Sequence, residues 1–117
     1  MKKYASVYQK FLNLAAAIED LSKFPQLTPD EKCVIRHLNN YWFNNQDITV
    51  VTAMNVVKTM STSTVFRNLK KIRDKGYLEL EIDPADNRVK YIRPTAQTIS
   101  YFAEHGKIFL ETAKSNT

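Results

Sequence analysis

Only two glycines serve the whole chain, and one of them, Gly76, stands where the hydrophobic period changes. Before it, Val65, Leu69 and Ile72 recur at helical spacing; after it, Leu78, Leu80 and Ile82 alternate with Glu79 and Glu81 at strand spacing. A residue without a Cβ admits the left-handed turn that ends a helix, so the chain must pass at residue 76 from a helix almost directly into a strand. Ser61 is the N-cap of that helix, which spans 61–75. With Val65 at zero and about 100° per residue, Leu69 and Ile72 fall within about 40° of it, whereas Ser63, Arg67, Lys70 and Asp74 land opposite. The core face and the outward face of this basic helix are therefore distinct. Residues 78–82 form a strand, 83–87 a turn and 89–93 the returning strand of a hairpin.

The remaining segments read as helices. Val7, Phe11, Leu14, Ile18 and Leu21 form a seam that predicts a helix over 4–23, ended by Phe24-Pro25, with Tyr8 and Leu12 widening the stripe. Thr28-Pro29-Asp30-Glu31 is a helix start in which Thr28 caps, Pro29 takes the first turn and Glu31 reaches back in a capping box. That helix runs over 29–43 with Val34, Ile35, Leu38 and Trp42 inward, and residues 44–47 are a loop. Residues 48–50 suit a very short strand, and 51–59 a short helix packed by Met54 and Val57. Thr95 caps a last helix whose apolar positions are Ile99, Phe102, Phe109 and Ala113, with Gly106 marking a bend or a close helix contact. The fold class is mostly α with a small β-hairpin: a winged helix-turn-helix with an additional helix at each end. One domain, 1–117, is expected, with its core at 28–93 and the helices 1–24 and 95–117 as candidate dimerisation elements.

Charge points to a partner. Residues 58–93 hold nine Lys/Arg against five Asp/Glu, whereas 1–57 hold six against five and 94–117 two against two. Most of the net charge of +5 thus lies on the basic helix and hairpin, where it favours a polyanion by counterion release; a solvated lysine-rich face is the plainer alternative. A single cysteine, Cys33, and two histidines leave no disulfide framework and no set of zinc ligands, and a buried inert thiol is expected at Cys33 rather than a redox sensor. No apolar run of about 18 residues and no signal-peptide pattern are present, so no membrane partner is expected and the location is expected to be cytoplasmic, associated with a bacterial nucleoid. Neither a cofactor nor an enzymatic activity is expected: no nucleophile, base and orienting group converge, and no glycine loop cradles phosphate.

The leading end of a helix in a major groove needs small polar residues. Ser61, Thr62, Ser63 and Thr64 meet that need, with hydroxyls and first-turn N–H groups suited to phosphate or base edges. Arg67, opposite the core, is the candidate for a guanine edge, against a merely solvated arginine. Asn68 and Lys71 flank that face as base and phosphate contacts, Lys70, Arg73 and Lys75 read as ordinary surface charges, and Phe66 either packs or touches thymine methyls. At the hairpin tip Arg88 is the minor-groove candidate, oriented by Asp86; the alternative is a local turn salt bridge. Lys90 is a further DNA candidate, or a partner for Glu79 and Glu81. Double-stranded DNA is thus the expected partner, with an architectural DNA binder or a winged-helix protein-interaction module as alternatives.

Four segments together resemble the MarR family of bacterial transcription regulators and its short SarA-like members. These are Leu27-Thr28-Pro29 with Val34, Ile35 and Leu38; Met60 to Arg67; Lys75-Gly76-Tyr77; and Asp83-Pro84-Ala85-Asp86-Asn87-Arg88, followed by Thr95. Asn87 stands where members usually carry a basic residue, and Leu80 near a frequent arginine. The resemblance implies a sequence-specific regulator that binds a pseudo-palindromic operator as a homodimer, the helix 61–75 in the major groove and the wing 83–88 at the minor groove. It also implies dimerisation through the terminal helices, with Val7, Phe11, Leu14, Ile18, Phe102, Phe109 and Leu110 as candidate interface residues. The sequence leaves the small-molecule effector unassigned.

Overall fold

Thr28 and Glu31 close a reciprocal capping box. The Thr28 hydroxyl accepts from the Glu31 N–H at 3.2 Å, and Glu31 Oε1 accepts from the Thr28 N–H at 2.7 Å. The box starts α2 (Pro29–Phe43) in a computed structural model that describes residues 1–114. The other elements are α1 (Lys2–Glu19), α3 (Val50–Val56), α4 (Thr62–Asp74), β1 (Leu78–Ile82), β2 (Lys90–Pro94) and α5 (Ala96–Lys114). Contacts divide the chain into two units: one from Leu27 to Thr95, the other from the chain's two ends, up to Gln26 and from Ala96 onward.

In the first unit α2 and α3 pack on α4, and the hairpin packs against α3 and α4. Its core takes Val34, Ile35 and Leu38 from α2, Ala53 and Val57 from α3 and its end, Val65, Leu69 and Ile72 from α4, and Tyr77, Leu78 and Ile92 from the hairpin. Trp42 is half-buried, and its indole N–H donates to the Ile92 carbonyl at 3.0 Å. The strands pair antiparallel, Leu78 opposite Pro94 and Ile82 opposite Lys90. Gly76 holds φ at 87°, the left-handed conformation its position requires. Beside it, Lys75 reaches back across the sequence to the fully buried Glu31 carboxylate, Nζ to Oε1 at 2.5 Å. Burial alone would raise the Glu31 pKa, but the hydrogen bond from Lys75, the Thr28 N–H and the Lys75 charge outweigh it and leave it lowered.

Several boundaries differ from those the sequence predicts. Residues 48–50 make no strand: Thr49 forms one isolated bridge to Tyr91, the Ile92 N–H donates to the Ile48 carbonyl, and Val50 already begins α3 because Thr49 caps it. The short helix ends at Val56 rather than at 59, and the second strand is shifted by one residue to Lys90–Pro94. The alternation of β1 fades at its end, where Ile82 is exposed.

In the second unit α1 packs on α5. The first helix stops at Glu19, before Phe24-Pro25, and the chain continues as successive turns, Leu21 N–H to Ile18 O and Phe24 N–H to Leu21 O. Ile18 and Phe24 are buried, Val7, Phe11 and Leu14 are half-buried, and the Phe24 ring meets Tyr101 edge-on at 5.5 Å. The inward stripe of α5 is Thr98, Tyr101, Ile108 and Thr112, not Ile99, Phe102, Phe109 and Ala113. Both sets share one spacing and differ by one residue; hydropathy favours the second. Hydrogen bonds make the first buriable: Tyr101 donates to Glu19 at 2.8 Å and Thr112 to the Ile108 carbonyl at 2.7 Å. Ile99 and Phe109 are left 60% and 65% exposed, and Phe102 half-buried.

Gly106 marks neither a break nor a close contact. Helix α5 runs through it, and a Cβ built there meets nothing within 4 Å. Gly106→Ala should therefore raise stability by about 0.5–1 kcal/mol, through lower entropy of the unfolded chain, measured by urea unfolding. Glu31→Gln keeps a cap acceptor but removes the charge facing Lys75, and should cost about 1–3 kcal/mol at neutral pH. Because the folded pKa of Glu31 is depressed, its stabilisation is complete above the unfolded pKa and is lost as pH falls through the folded one. Urea midpoints across the acid range should fall less steeply in Glu31→Gln than in the parent chain.

Candidate nucleic-acid interface

The leading end of α4 is built around one hydroxyl. Ser61 Oγ accepts from the Thr64 N–H at 3.2 Å, which caps the helix, and donates to Thr64 Oγ1 at 2.8 Å. Thr64 Oγ1 in turn accepts from Arg67 Nη2 at 3.2 Å, and Ser63 Oγ lies 3.2 Å from Ser61 Oγ. The cap is thereby linked through Thr64 to the guanidinium one turn further on, a contact that favours one placement of the exposed Arg67 side chain. Ser61, Thr62, Ser63, Arg67 and Lys71 are exposed and Thr64 half-buried. Asn68 differs from the others: only 8% of it is exposed, and its Nδ2 donates to the Thr64 carbonyl at 2.9 Å.

Two recesses flank α4. On one side, an open cleft lies between the start of α2, at Thr28, Pro29 and Asp30, and Thr64, Arg67, Asn68 and Lys71 of α4. On the other, a cavity of about 160 Å³ lies against the hairpin, and Phe66 lines it together with Leu69 and Leu80. Phe66 thus packs at the edge of this cavity, with Lys70 Nζ 4.5 Å above its ring.

The hairpin tip is organised by two aspartates. Asp83 accepts from the Ala85 and Asp86 N–H groups at 2.8 and 3.0 Å and from the Tyr91 hydroxyl at 2.6 Å. The Tyr91 bond is the main reason that the Asp83 pKa is lowered, and the same bond raises that of Tyr91. Asp86 holds Arg88 with both oxygens, Nε to Oδ1 at 3.0 Å and Nη2 to Oδ2 at 3.1 Å, and also accepts the Arg88 N–H. The Arg88 bonds lower the Asp86 pKa and raise that of Arg88, yet the arginine side chain is 86% exposed. The Asp86–Arg88 bond belongs to both readings of the tip, the oriented arginine and the local turn salt bridge, and the guanidinium is exposed. Lys90 is exposed, but Glu81 pairs with Arg93 and not with Lys90. The register explains this: Arg93 is two positions from the residue facing Glu81 on the paired strand, and its other arm reaches Asp47 at 2.6 Å. Lys75, which reads in sequence as a surface charge, is the partner of Glu31. Only its place beside the glycine turn could have signalled an inward role.

The candidate interface residues at the ends of the chain divide by burial. Ile18 is buried, Val7, Phe11, Leu14 and Phe102 are half-buried, and Phe109 and Leu110 are exposed. Phe11 and Phe109 touch edge-on at 6.0 Å within the unit. Cys33 is half-buried, its sulfur 3.9 Å from His37 Nδ1. Among the described residues no cluster of three His, Cys, Asp or Glu could hold a metal, and no helix is long and apolar enough to cross a membrane.

No protein-family model and no curated protein matches this sequence. Solved structures do match its fold. S. aureus MepR bound to ethidium bromide superposes with a TM-score of 0.72 at 16% identity, over 96% of this chain and 76% of that one. The transcriptional regulator Tm0710 from Thermotoga maritima gives 0.67 at 17% identity, over 94% and 69%. The heme sensor protein PefR from Streptococcus agalactiae, in complex with heme, gives 0.60 at 22% identity, over 96% and 71%. The fold is the MarR-like winged helix.

The cap makes a prediction that needs no nucleic acid. Ser61→Ala should cost about 1 kcal/mol in urea unfolding, the ordinary loss at an N-cap. Thr62→Ala, exposed one residue further on, should stay within about 0.5 kcal/mol of the parent chain.

Proposed function

We propose that the chain is a sequence-specific DNA-binding transcription regulator. The observation that carries this is the leading end of α4, where the exposed Ser61, Thr62 and Ser63, the half-buried Thr64 and the Arg67 bonded to it form a polar surface. Small residues there let a helix approach base edges, and a held guanidinium can bond the O6 and N7 of a guanine together. Lys71 contributes a phosphate contact beside it, and Ser61, Thr62, Ser63 and Thr64 contribute hydroxyl and backbone contacts. Asn68 shapes this surface from behind, since its side chain is mostly buried and bonded to its own helix. At the wing, Arg88 enters a minor groove with Asp86 setting its orientation, and Lys90 meets the adjoining phosphates. The matched folds include a named transcriptional regulator, which supports the same reading.

A pseudo-palindromic site read by a homodimer completes the proposal, because one such module contacts few base pairs. The exposed apolar residues Ile99, Phe109 and Leu110 of α5 support it, being more apolar surface than α5 needs to leave in water. The expected location is the cytoplasm, on the nucleoid.

Selection of duplexes from a random pool should give a two-fold symmetric site. Against it, Arg67→Ala should lose about 1–3 kcal/mol of preference per contacted base while binding to random DNA survives. Arg88→Ala should weaken binding to selected and random duplexes alike. Equal affinity of the parent chain for both duplex sets would mean an architectural binder. If neither substitution alters DNA binding at low salt, the protein-interaction module becomes the better account.

A further inference from the structure

We propose that the open edge of β1 is a docking site for an extended segment of another protein, one that alternates apolar and basic residues and adds a strand to the hairpin. The sheet has two strands, and among the described residues β1 pairs only with β2. The phase of the ladder follows from Ile92, whose N–H donates to the Ile48 carbonyl at 2.8 Å and whose carbonyl accepts from the Trp42 indole at 3.0 Å. Both main-chain groups of Ile92 thus point away from β1. Leu80 stands opposite Ile92, and at such a position of an antiparallel pair both residues turn their N–H and C=O outward. The two-residue period carries Ile82, opposite Lys90, to the same edge. Leu80 and Ile82 therefore present the row of donors and acceptors that a further strand takes up.

The side chains of β1 assign the occupant. Glu79 and Glu81 are exposed and alternate with Leu80 and Ile82, so they lie on the opposite face of the strand. On that side of the hairpin Arg93 bonds both Glu81 and Asp47, and Tyr91 bonds Asp83. Glu79, Glu81, Asp83 and Asp47 thus share it with Arg93 as their cation, in a part of the chain otherwise rich in Lys and Arg. A polyanion is repelled there. An added strand with Lys or Arg at alternate positions sets them beside Glu79 and Glu81, where opposite charges on neighbouring strands attract. On the other face Ile82 is 57% exposed and Leu80 half-buried, and apolar residues at the intervening positions cover them. A second copy of β1 fits worse. Paired antiparallel about Leu80, two such strands would place Glu79 opposite Glu81, and like charges directly opposite are destabilising. The docking site goes beyond the function proposed above and does not depend on it, because Ser61 to Arg67 take no part in it.

A blocked peptide of about seven residues, alternating Lys and Val, titrated into the full chain and followed by NMR provides the test. Saturable binding is expected, with the amide protons of Leu80 and Ile82 shifted and slowed in hydrogen exchange. The same peptide with Glu in place of Lys should bind at least about ten-fold more weakly, and so should the Lys–Val peptide methylated on the backbone nitrogens that would face β1. Glu79→Lys, at an exposed position, should weaken the Lys–Val peptide about five- to ten-fold. Ile82→Pro removes an outward N–H and no bond of the β1–β2 ladder, and should weaken it about ten-fold. Strand addition is overturned if no saturable binding occurs, or if the methylated peptide binds as well as the unmethylated one, which would leave charge alone as the attraction. It is overturned equally if Glu79→Lys and Ile82→Pro both keep the parent affinity, since the peptide would then sit elsewhere. Protection of Leu80 and Ile82 that rises with protein concentration in the absence of peptide, and is lost in Ile82→Pro, would make the occupant a second copy of this chain and overturn the basic partner.

Discussion

The Glu31 carboxylate is the point on which the first unit turns. One oxygen completes the capping box that begins α2 and receives the ammonium of Lys75 at the end of α4, 44 residues away in sequence. A carboxylate fully removed from water is costly unless paired and hydrogen-bonded, so its burial demands that both partners be in place at once. The start of α2 and the C-terminal end of α4 are thereby tied to each other. Gly76 and the buried Tyr77 follow Lys75 directly, so the same pair also fixes where the hairpin leaves the helix. The second oxygen, Oε2, is buried with no hydrogen-bond partner in the structure. The charge is shared by both oxygens but met on the Oε1 side, by the Thr28 N–H and Lys75, so removing Lys75 would leave a buried carboxylate without its cation.

With α4 tied down at its end, its beginning is organised by a much lighter device. Ser61, Thr64 and Arg67 form a chain of hydroxyl and guanidinium bonds at the surface. Each bond is individually worth little against water. Their effect is on the distribution of Arg67 conformers, and a side chain ordered in advance loses less entropy when it meets a partner. The wing uses the same strategy, with Asp83 ordering the turn and Asp86 ordering the arginine. The two exposed arginines most suited to base or groove contact are held by neighbours three and two residues away.

Short-range features were the legible ones. The capping box, the N-caps Ser61 and Thr28, the glycine turn and the core face Val65, Leu69, Ile72 all follow from residues within one or two turns of each other, and the structure has each. What sequence misassigned depends on distant partners. Lys75 looks like a surface charge until Glu31 is seen beside it, and Glu81 finds Arg93 because strand register, not sequence distance, sets its neighbours. In α5 two stripes of equal period compete, and the more apolar one lies outward because Tyr101 and Thr112 satisfy their own hydroxyls. Periodicity gives the helix but not its rotation when polar residues can be buried at little cost. The cavity beside α4 was also invisible, since it needs Phe66 and Leu69 to be brought to Leu80 and Ile92.

The charge excess of residues 58–93 acquires a division of labour once partners are known. Lys75 and Arg93 are committed to carboxylates within the unit, and Arg88 shares the hairpin tip with Asp86. A tip that carries one arginine and two aspartates has no excess of positive charge, so it draws little on long-range attraction to a polyanion. Its guanidinium gains instead at short range, where an approaching partner excludes water and raises the worth of a held charge. Arg67, Lys70 and Lys71 lie exposed along α4, where positive charge acts through water over about a Debye length. On the proposed reading the helix therefore supplies the salt-dependent attraction and the wing supplies orientation.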